Sequence, residues 1–75
     1  MIAPSIDVQK TGDNIRTLMD EKGFTVKQIT EMHGCISVKL VYKWRNGSDL
    51  PTLDNMYFLS KVLETPMDKI IVPKY

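Results

Sequence analysis

Four consecutive residues, Thr25-Val26-Lys27-Gln28, constrain this chain more than any other segment. A threonine followed three positions later by glutamine is a capping box, in which two side chains satisfy backbone donors that a helix start leaves without partners. Phe24 before the cap and Ile29 in the first turn have the spacing of a hydrophobic staple. The helix that begins here stops at His33-Gly34, where glycine accepts the left-handed conformation of a helix end. A helix so short is not stable alone. The chain must therefore fold as several short helices held together by a shared core.

The remaining segments carry the same kind of punctuation. A first helix is expected to begin near Thr11, with Asp13 in its first turn, Ile15, Leu18 and Met19 on one face, and Gly23 after its end. A third helix starts at Ser37, with Ile36 and Val41 at staple spacing and Leu40, Val41 and Trp44 as its apolar stripe. It ends at Asn46-Gly47. After Pro51, Thr52 caps a fourth helix in which Leu53, Met56, Leu59 and Leu63 recur at helical intervals, with Ser60 as a small residue on the same side. Thr65-Pro66-Met67-Asp68 opens a fifth, with Thr65 as cap, Pro66 at the first helical position and Asp68 closing the box. Pro73 ends it. Met19, Met32, Met56 and Met67 sit at helical apolar positions and read as core gap-fillers. No segment alternates like a half-buried strand. Residues 1–10, with Pro4 and no helical period, read as an N-terminal arm or flexible tail. The expected fold is all-α, a compact five-helix domain over residues 11–75.

Composition narrows the function. The chain has 75 residues, which is one domain, and 43% hydrophobic residues, too many for disorder. No apolar run approaches the ~20 residues that cross a bilayer, and the start, Met1 to Asp7, lacks the basic and apolar stretches of a signal peptide. The expected location is cytoplasmic, with no membrane partner. Cys35 is the only cysteine and His33 the only histidine. The pair cannot form an internal disulfide or a four-ligand zinc site, and no convergent acid, base or nucleophile cluster stands elsewhere. The reading is a protein that is not an enzyme, with no cofactor, no metal and no small-molecule substrate. Net charge is only +1. Its distribution says more, because Lys27, Lys39, Lys43 and Arg45 face Glu31 alone between Lys27 and Ser48.

Two short capped helices joined by a glycine-containing turn are the outline of a helix-turn-helix. The run Gly12, Ile15-Arg16, Leu18, Gly23-Phe24-Thr25 and Ile29-Thr30 resembles the start of the Cro and phage-repressor (XRE) helix-turn-helix family. Val41-Tyr42-Lys43-Trp44-Arg45-Asn46-Gly47 resembles the end of that family's recognition helix. Leu50-Pro51-Thr52-Leu53 through Ile70 resembles its last two helices. The likeness spans roughly residues 11–72. It implies a lambda-repressor-like five-helix fold, double-stranded DNA as partner and a homodimer. The chain departs from the pattern in three places. One extra residue lies near His33-Gly34-Cys35-Ile36. Met19 and Arg45 occupy positions where the family often has an ion pair. The residues flanking Ser37 are apolar.

In a domain of this type the second of the two helices, about residues 37–46 here, enters the major groove. With Val41 and Trp44 inside, Val38, Lys39, Tyr42 and Lys43 face outward. Lys39 has two open readings, a guanine edge and a phosphate. Val38 could pack on a thymine methyl or bury against the longer turn, with burial favoured. Tyr42 is read as a contact to phosphate or groove wall, and Lys43 as a phosphate contact. Ser37 is a cap that could also touch phosphate. Lys27 and Gln28 at the preceding helix start, and Asn46 and Ser48 after the third helix, complete the expected DNA-binding set. Helix starts and loop amides donate well to phosphate. The function so read is sequence-specific DNA binding by a small transcriptional regulator, a repressor by preference. The alternative is a protein-interaction or antitoxin-like module of the same fold, with a protein partner. If the chain dimerises, the apolar tail Ile70-Ile71-Val72-Pro73-Lys74-Tyr75 is the expected contributor.

Overall fold

The computed structural model describes residues 4–74. The five expected helices are all present, as α1 (Val8–Lys22), α2 (Val26–His33), α3 (Val38–Arg45), α4 (Leu53–Val62) and α5 (Met67–Ile70). Among the described residues there is no strand, only an isolated antiparallel bridge between Ile6 and Pro73.

Local chemistry sets the starts of the middle three helices. In the box before α2, Thr25 Oγ1 accepts from the Gln28 amide at 3.1 Å and Gln28 Oε1 accepts from the Thr25 amide at 2.8 Å. Ser37 Oγ accepts from the Leu40 amide at 3.2 Å before α3, and Thr52 Oγ1 from the Asn55 amide at 3.3 Å before α4. Each bond satisfies a donor that has no intrahelical partner.

The two outer helices begin elsewhere than expected. Asp7, not Thr11, caps α1, its carboxylate accepting from the Lys10 amide at 2.9 Å. The helix therefore includes residues 8–10. Thr11 is fully buried, and its Oγ1 accepts from the Val72 amide at 3.0 Å. A long-range partner takes the hydroxyl that looked like a local cap. The residues before α1 are tied to the C-terminal segment, with Asp7 N donating to Val72 O at 2.9 Å and Lys74 N to Ser5 O at 2.8 Å. Residues 1–3 of the expected arm lie outside the described residues. At α5, Thr65 does not cap. Its hydroxyl donates to Leu63 O at 2.9 Å, and Pro66 is the N-cap without a side-chain bond. Glu64 takes φ +51° just before, which turns the chain sharply and points Thr65 back at α4.

One cluster of buried residues forms the core: Ile15, Met19, Val26, Ile29, Val41, Trp44, Met56, Leu59, Leu63 and Ile70. Leu18, Leu40 and Met67 pack against it half-buried, and two other expected core residues are exposed. Met32 is 47% and Leu53 77% exposed. Met32 falls beside the stripe of Val26 and Ile29 on a helix of barely two turns, and Leu53 falls beside that of Met56, Leu59 and Leu63. The C-terminal segment closes onto α1. Asn14 Nδ2 donates to Lys69 O at 2.8 Å and Ile70 O at 2.9 Å, while Ile71 and Val72 are half-buried. The apolar tail expected to seek a second copy is thus covered within its own chain as far as Val72, and Tyr75 lies outside the described residues.

Gly12 positions α3 on this frame. A Cβ there would fall against Trp44 O and lie 2.9 Å from Gly47 N and 3.1 Å from Arg45 O. Glycine lets α1 pack directly on the backbone at the end of α3, and Trp44 locks the contact from inside at 1% exposure.

Candidate nucleic-acid interface

The geometry of α2 and α3 depends on the turn between them, which holds the extra residue. Gly34 takes φ +84° and its amide donates to Thr30 O at 3.0 Å, which ends α2. His33 then braces the turn from both ring nitrogens. Its Nδ1 accepts from the Cys35 amide at 3.2 Å. An accepting Nδ1 leaves the proton on Nε2, which donates to Asn55 Oδ1 in α4 at 2.8 Å. The Phe58 ring meets the imidazole edge-on at a centroid distance of 4.7 Å. Ile36 packs against the core, and Cys35 stays exposed. With Ile36 turned inward, Val38 turns outward and is 42% exposed. Burial of Val38 against the longer turn, the favoured reading, is therefore corrected.

All nine residues read as DNA contacts lie at the surface: Lys27, Gln28, Ser37, Val38, Lys39, Tyr42, Lys43, Asn46 and Ser48. Val38, Lys39, Tyr42 and Lys43 share the side of α3 opposite Val41 and Trp44. Asn46 is the C-cap of the same helix and Ser48 follows it. Lys27 and Gln28 occupy the first turn of α2, which packs against α3. Lys27 Nζ lies 4.0 Å from Glu31 with both side chains well exposed, too loose a pair to hold the lysine. Gln28 uses Oε1 in its cap, so its Nε2 is the end left to donate outward.

The backbone donors divide differently from expectation. The amides of Asn46, Gly47 and Ser48 donate to Tyr42 O, Trp44 O and Lys43 O at 2.9, 3.2 and 3.0 Å. They serve to end α3 and are not available to a phosphate, so Asn46 and Ser48 can act only through their side chains. The amides at the beginnings of α2 and α3 remain the better donors, because capping uses only some of the first-turn groups.

One basic residue was not in the expected set. Arg45 is half-buried, with its guanidinium carbon 5.5 Å from the centre of the Tyr42 ring and its Nε buried without a hydrogen-bond partner. It adds a third positive charge to the helix that carries Lys39 and Lys43. The three-residue spacing of Tyr42 and Arg45 was the available signal, since side chains at that interval meet on a helix. Met19, opposite the family's usual acidic partner position, is core at 1% exposure, so the absent ion pair is replaced by apolar packing.

The helix-turn-helix family profile matches residues 15–70, which takes in all five helices after the first turns of α1. The chain belongs to the helix-turn-helix family. Its solved relatives in shape share little sequence. The restriction-modification controller protein C.AhdI from Aeromonas hydrophila is 22% identical, with a TM-score of 0.77 over 85% of this chain and 96% of that one. The DNA-binding domain of BldD gives 15% identity and a TM-score of 0.75 over 88% and 94% of the two chains. A second BldD DNA-binding domain, from S. venezulae, gives 15% and 0.76 over 88% and 97%. No curated protein matches in sequence. In helix-turn-helix terms, α2 and α3 are the two helices of the motif, joined by the turn that begins at Gly34.

Proposed function

We propose that this helix-turn-helix domain binds double-stranded DNA sequence-specifically as a small transcriptional regulator, with α3 lying in the major groove, and that it represses by occupying its site. The observation that carries the reading is the outer side of α3. Val38, Lys39, Tyr42 and Lys43 stand exposed on one side of a helix whose opposite side is fixed in the core by Val41 and Trp44. Lys39 can donate to a guanine O6 or N7, Val38 can pack on a thymine methyl, and Lys43 and Tyr42 can meet backbone phosphates. Lys27, Gln28 and the free amides at the start of α2 suit the phosphates flanking the groove. Ser37, Asn46 and Ser48 would supply shorter polar contacts at the two ends of α3.

A single reading helix touches only a few base pairs, so the domain works as a homodimer on a two-fold site. Net charge is low, but on α2 and α3 the basic residues Lys27, Lys39, Lys43 and Arg45 meet Glu31 as the one acidic residue. No helix among the described residues is long and apolar enough to cross a membrane. The place of action is the cytoplasm, where the DNA it regulates is reached.

The test is a fluorescence-anisotropy titration against labelled duplex from the upstream region of its own gene, at low and moderate salt. Six to ten phosphate contacts would weaken binding by roughly 10³ to 10⁵ over a fourfold salt increase. Lys39→Ala/Lys43→Ala should bind more weakly and with a shallower slope. Binding that ignores salt, or that the double variant leaves intact, would refute the reading and favour a protein-interaction module.

A further inference from the structure

Arg45 is the one positive charge of α3 that the fold takes partly out of water. It is half-buried, and its Nε is enclosed without a hydrogen-bond partner, whereas Lys39 and Lys43 are exposed. The ion pairs among the described residues, Lys22–Glu64 and Lys27–Glu31, leave Arg45 out. The guanidinium instead rests over the Tyr42 ring, with Cζ 5.5 Å from the ring centre. A ring face attracts a cation but leaves its N–H donors unsatisfied. A partly desolvated charge costs free energy unless an opposite charge compensates it. The fold thus keeps at Arg45 a group that its own described residues do not complete.

We propose that Arg45 and Tyr42 form a preassembled clamp for one backbone phosphate of the DNA, in which the guanidinium binds the phosphate and the ring holds the guanidinium in place. The proposal rests on the DNA-binding reading of α3. Position on the helix names the ligand. Arg45 is the last residue of α3. A reading helix sets its N-terminal residues against base edges, so its last turn stands nearer the sugar–phosphate wall of the groove. Tyr42, which carries the cation, is 48% exposed on the outward side with Lys39. The chemistry agrees with the position. A guanidinium offers parallel N–H donors at a fixed spacing that matches two phosphate oxygens. With Nε enclosed, the two terminal amino groups are the edge left to make that fork. The phosphate brings the missing negative charge to a half-buried place, where water and salt screen the pair less than they screen an exposed lysine. Because the ring already restrains the guanidinium, binding orders it at little further entropic cost.

The experiment is an anisotropy titration of labelled duplex from the upstream region of the protein's own gene, over a salt series. Arg45→Met keeps an apolar stem in the half-buried place and removes the charge. It should bind about tenfold more weakly at low salt, with a log–log salt slope shallower by about one, the share of a single phosphate. Its urea midpoint should be no lower than that of wild type, because the free chain loses an uncompensated charge. Arg45→Lys should keep the slope and recover only part of the affinity, since it restores the charge without the fork. The ring is tested by pairing. Arg45→Met should still cost about tenfold in a Tyr42→Phe background, and less than about threefold in a Tyr42→Leu background, where nothing holds the guanidinium. Inorganic phosphate carries the same chemical group without the duplex. In labelled protein the Arg45 side-chain Nε–H resonance should move on addition of duplex and stay still on addition of inorganic phosphate at equal ionic strength. A wild-type salt slope in Arg45→Met, equal losses in the Phe and Leu backgrounds, or a response to inorganic phosphate as large as that to duplex would overturn the clamp while leaving the DNA-binding reading in place. A wild-type chain that binds duplex without salt dependence would overturn both.

Discussion

Gly12 lies in the interior of a fifteen-residue helix, where helix propensity alone favours its replacement. Alanine is about 1 kcal/mol better than glycine in such a position. The structure argues the opposite sign. A Cβ on Gly12 would meet Trp44 O, Gly47 N and Arg45 O, the last two at 2.9 and 3.1 Å. All three are backbone atoms, so no rotamer change can relieve the contact, and α1 must move off the end of α3. Overpacking of this kind costs about 1–3 kcal/mol, and backbone on backbone places it at the upper end. Set against the propensity gain, Gly12→Ala should lose about 2 kcal/mol. For a domain of this size that is a fall in Tm of roughly 8–16 °C. Urea unfolding followed by Trp44 fluorescence and by circular dichroism measures it directly. A variant as stable as wild type, or more stable, would refute the close helix crossing on which the placement of α3 rests.

Other substitutions separate local from long-range effects. Thr11→Val keeps the shape but leaves the Val72 amide without its acceptor, and should lose about 1–3 kcal/mol in denaturant melts. If Thr11 were only a helix-start residue, the change would be nearly silent. Ser37→Ala removes the cap of α3 and should lower stability by about 1 kcal/mol, read as a shift in urea midpoint at constant slope. Lys27→Ala breaks only an exposed, long pair with Glu31, so stability should change by less than about 0.5 kcal/mol while affinity for duplex DNA falls. Unchanged affinity would remove Lys27 from the interface.

Much of this fold was legible in the residues because its helix boundaries are made by neighbours in sequence. The capping box at Thr25, the caps at Ser37 and Thr52, and the glycines at 23 and 34 act over three or four positions, and the structure has each where the pattern puts it. Thr65 is drawn off its cap by the nearby carbonyl of Leu63, but the error at α1 occurs where a distant partner decides. Thr11 looked like a cap until Val72 claimed its hydroxyl, and the real cap, Asp7, is held in place by the same C-terminal segment. Periodicity placed Met32 and Leu53 in the core because it cannot show where a neighbouring helix stops covering a side. The surface position of the α3 residues was readable from Val41 and Trp44, since two buried positions fix the opposite side. One other feature of the interface was not. The turn amides after α3 are consumed by its own last carbonyls, which depends on how the chain folds back after the helix, whereas the contact of Arg45 with Tyr42 was open to reading from their three-residue spacing.

The most direct test of the central claim follows backbone amide resonances of labelled protein as duplex DNA is added. If α3 reads the groove, shifts concentrate at Val38, Lys39, Tyr42 and Lys43, with a second set at Val26, Lys27 and Gln28, while the amides of α4 and α5 distant from the duplex stay still. Shifts centred on α4 or on the C-terminal segment with α3 unaffected, or no shifts at any DNA concentration, would contradict the account.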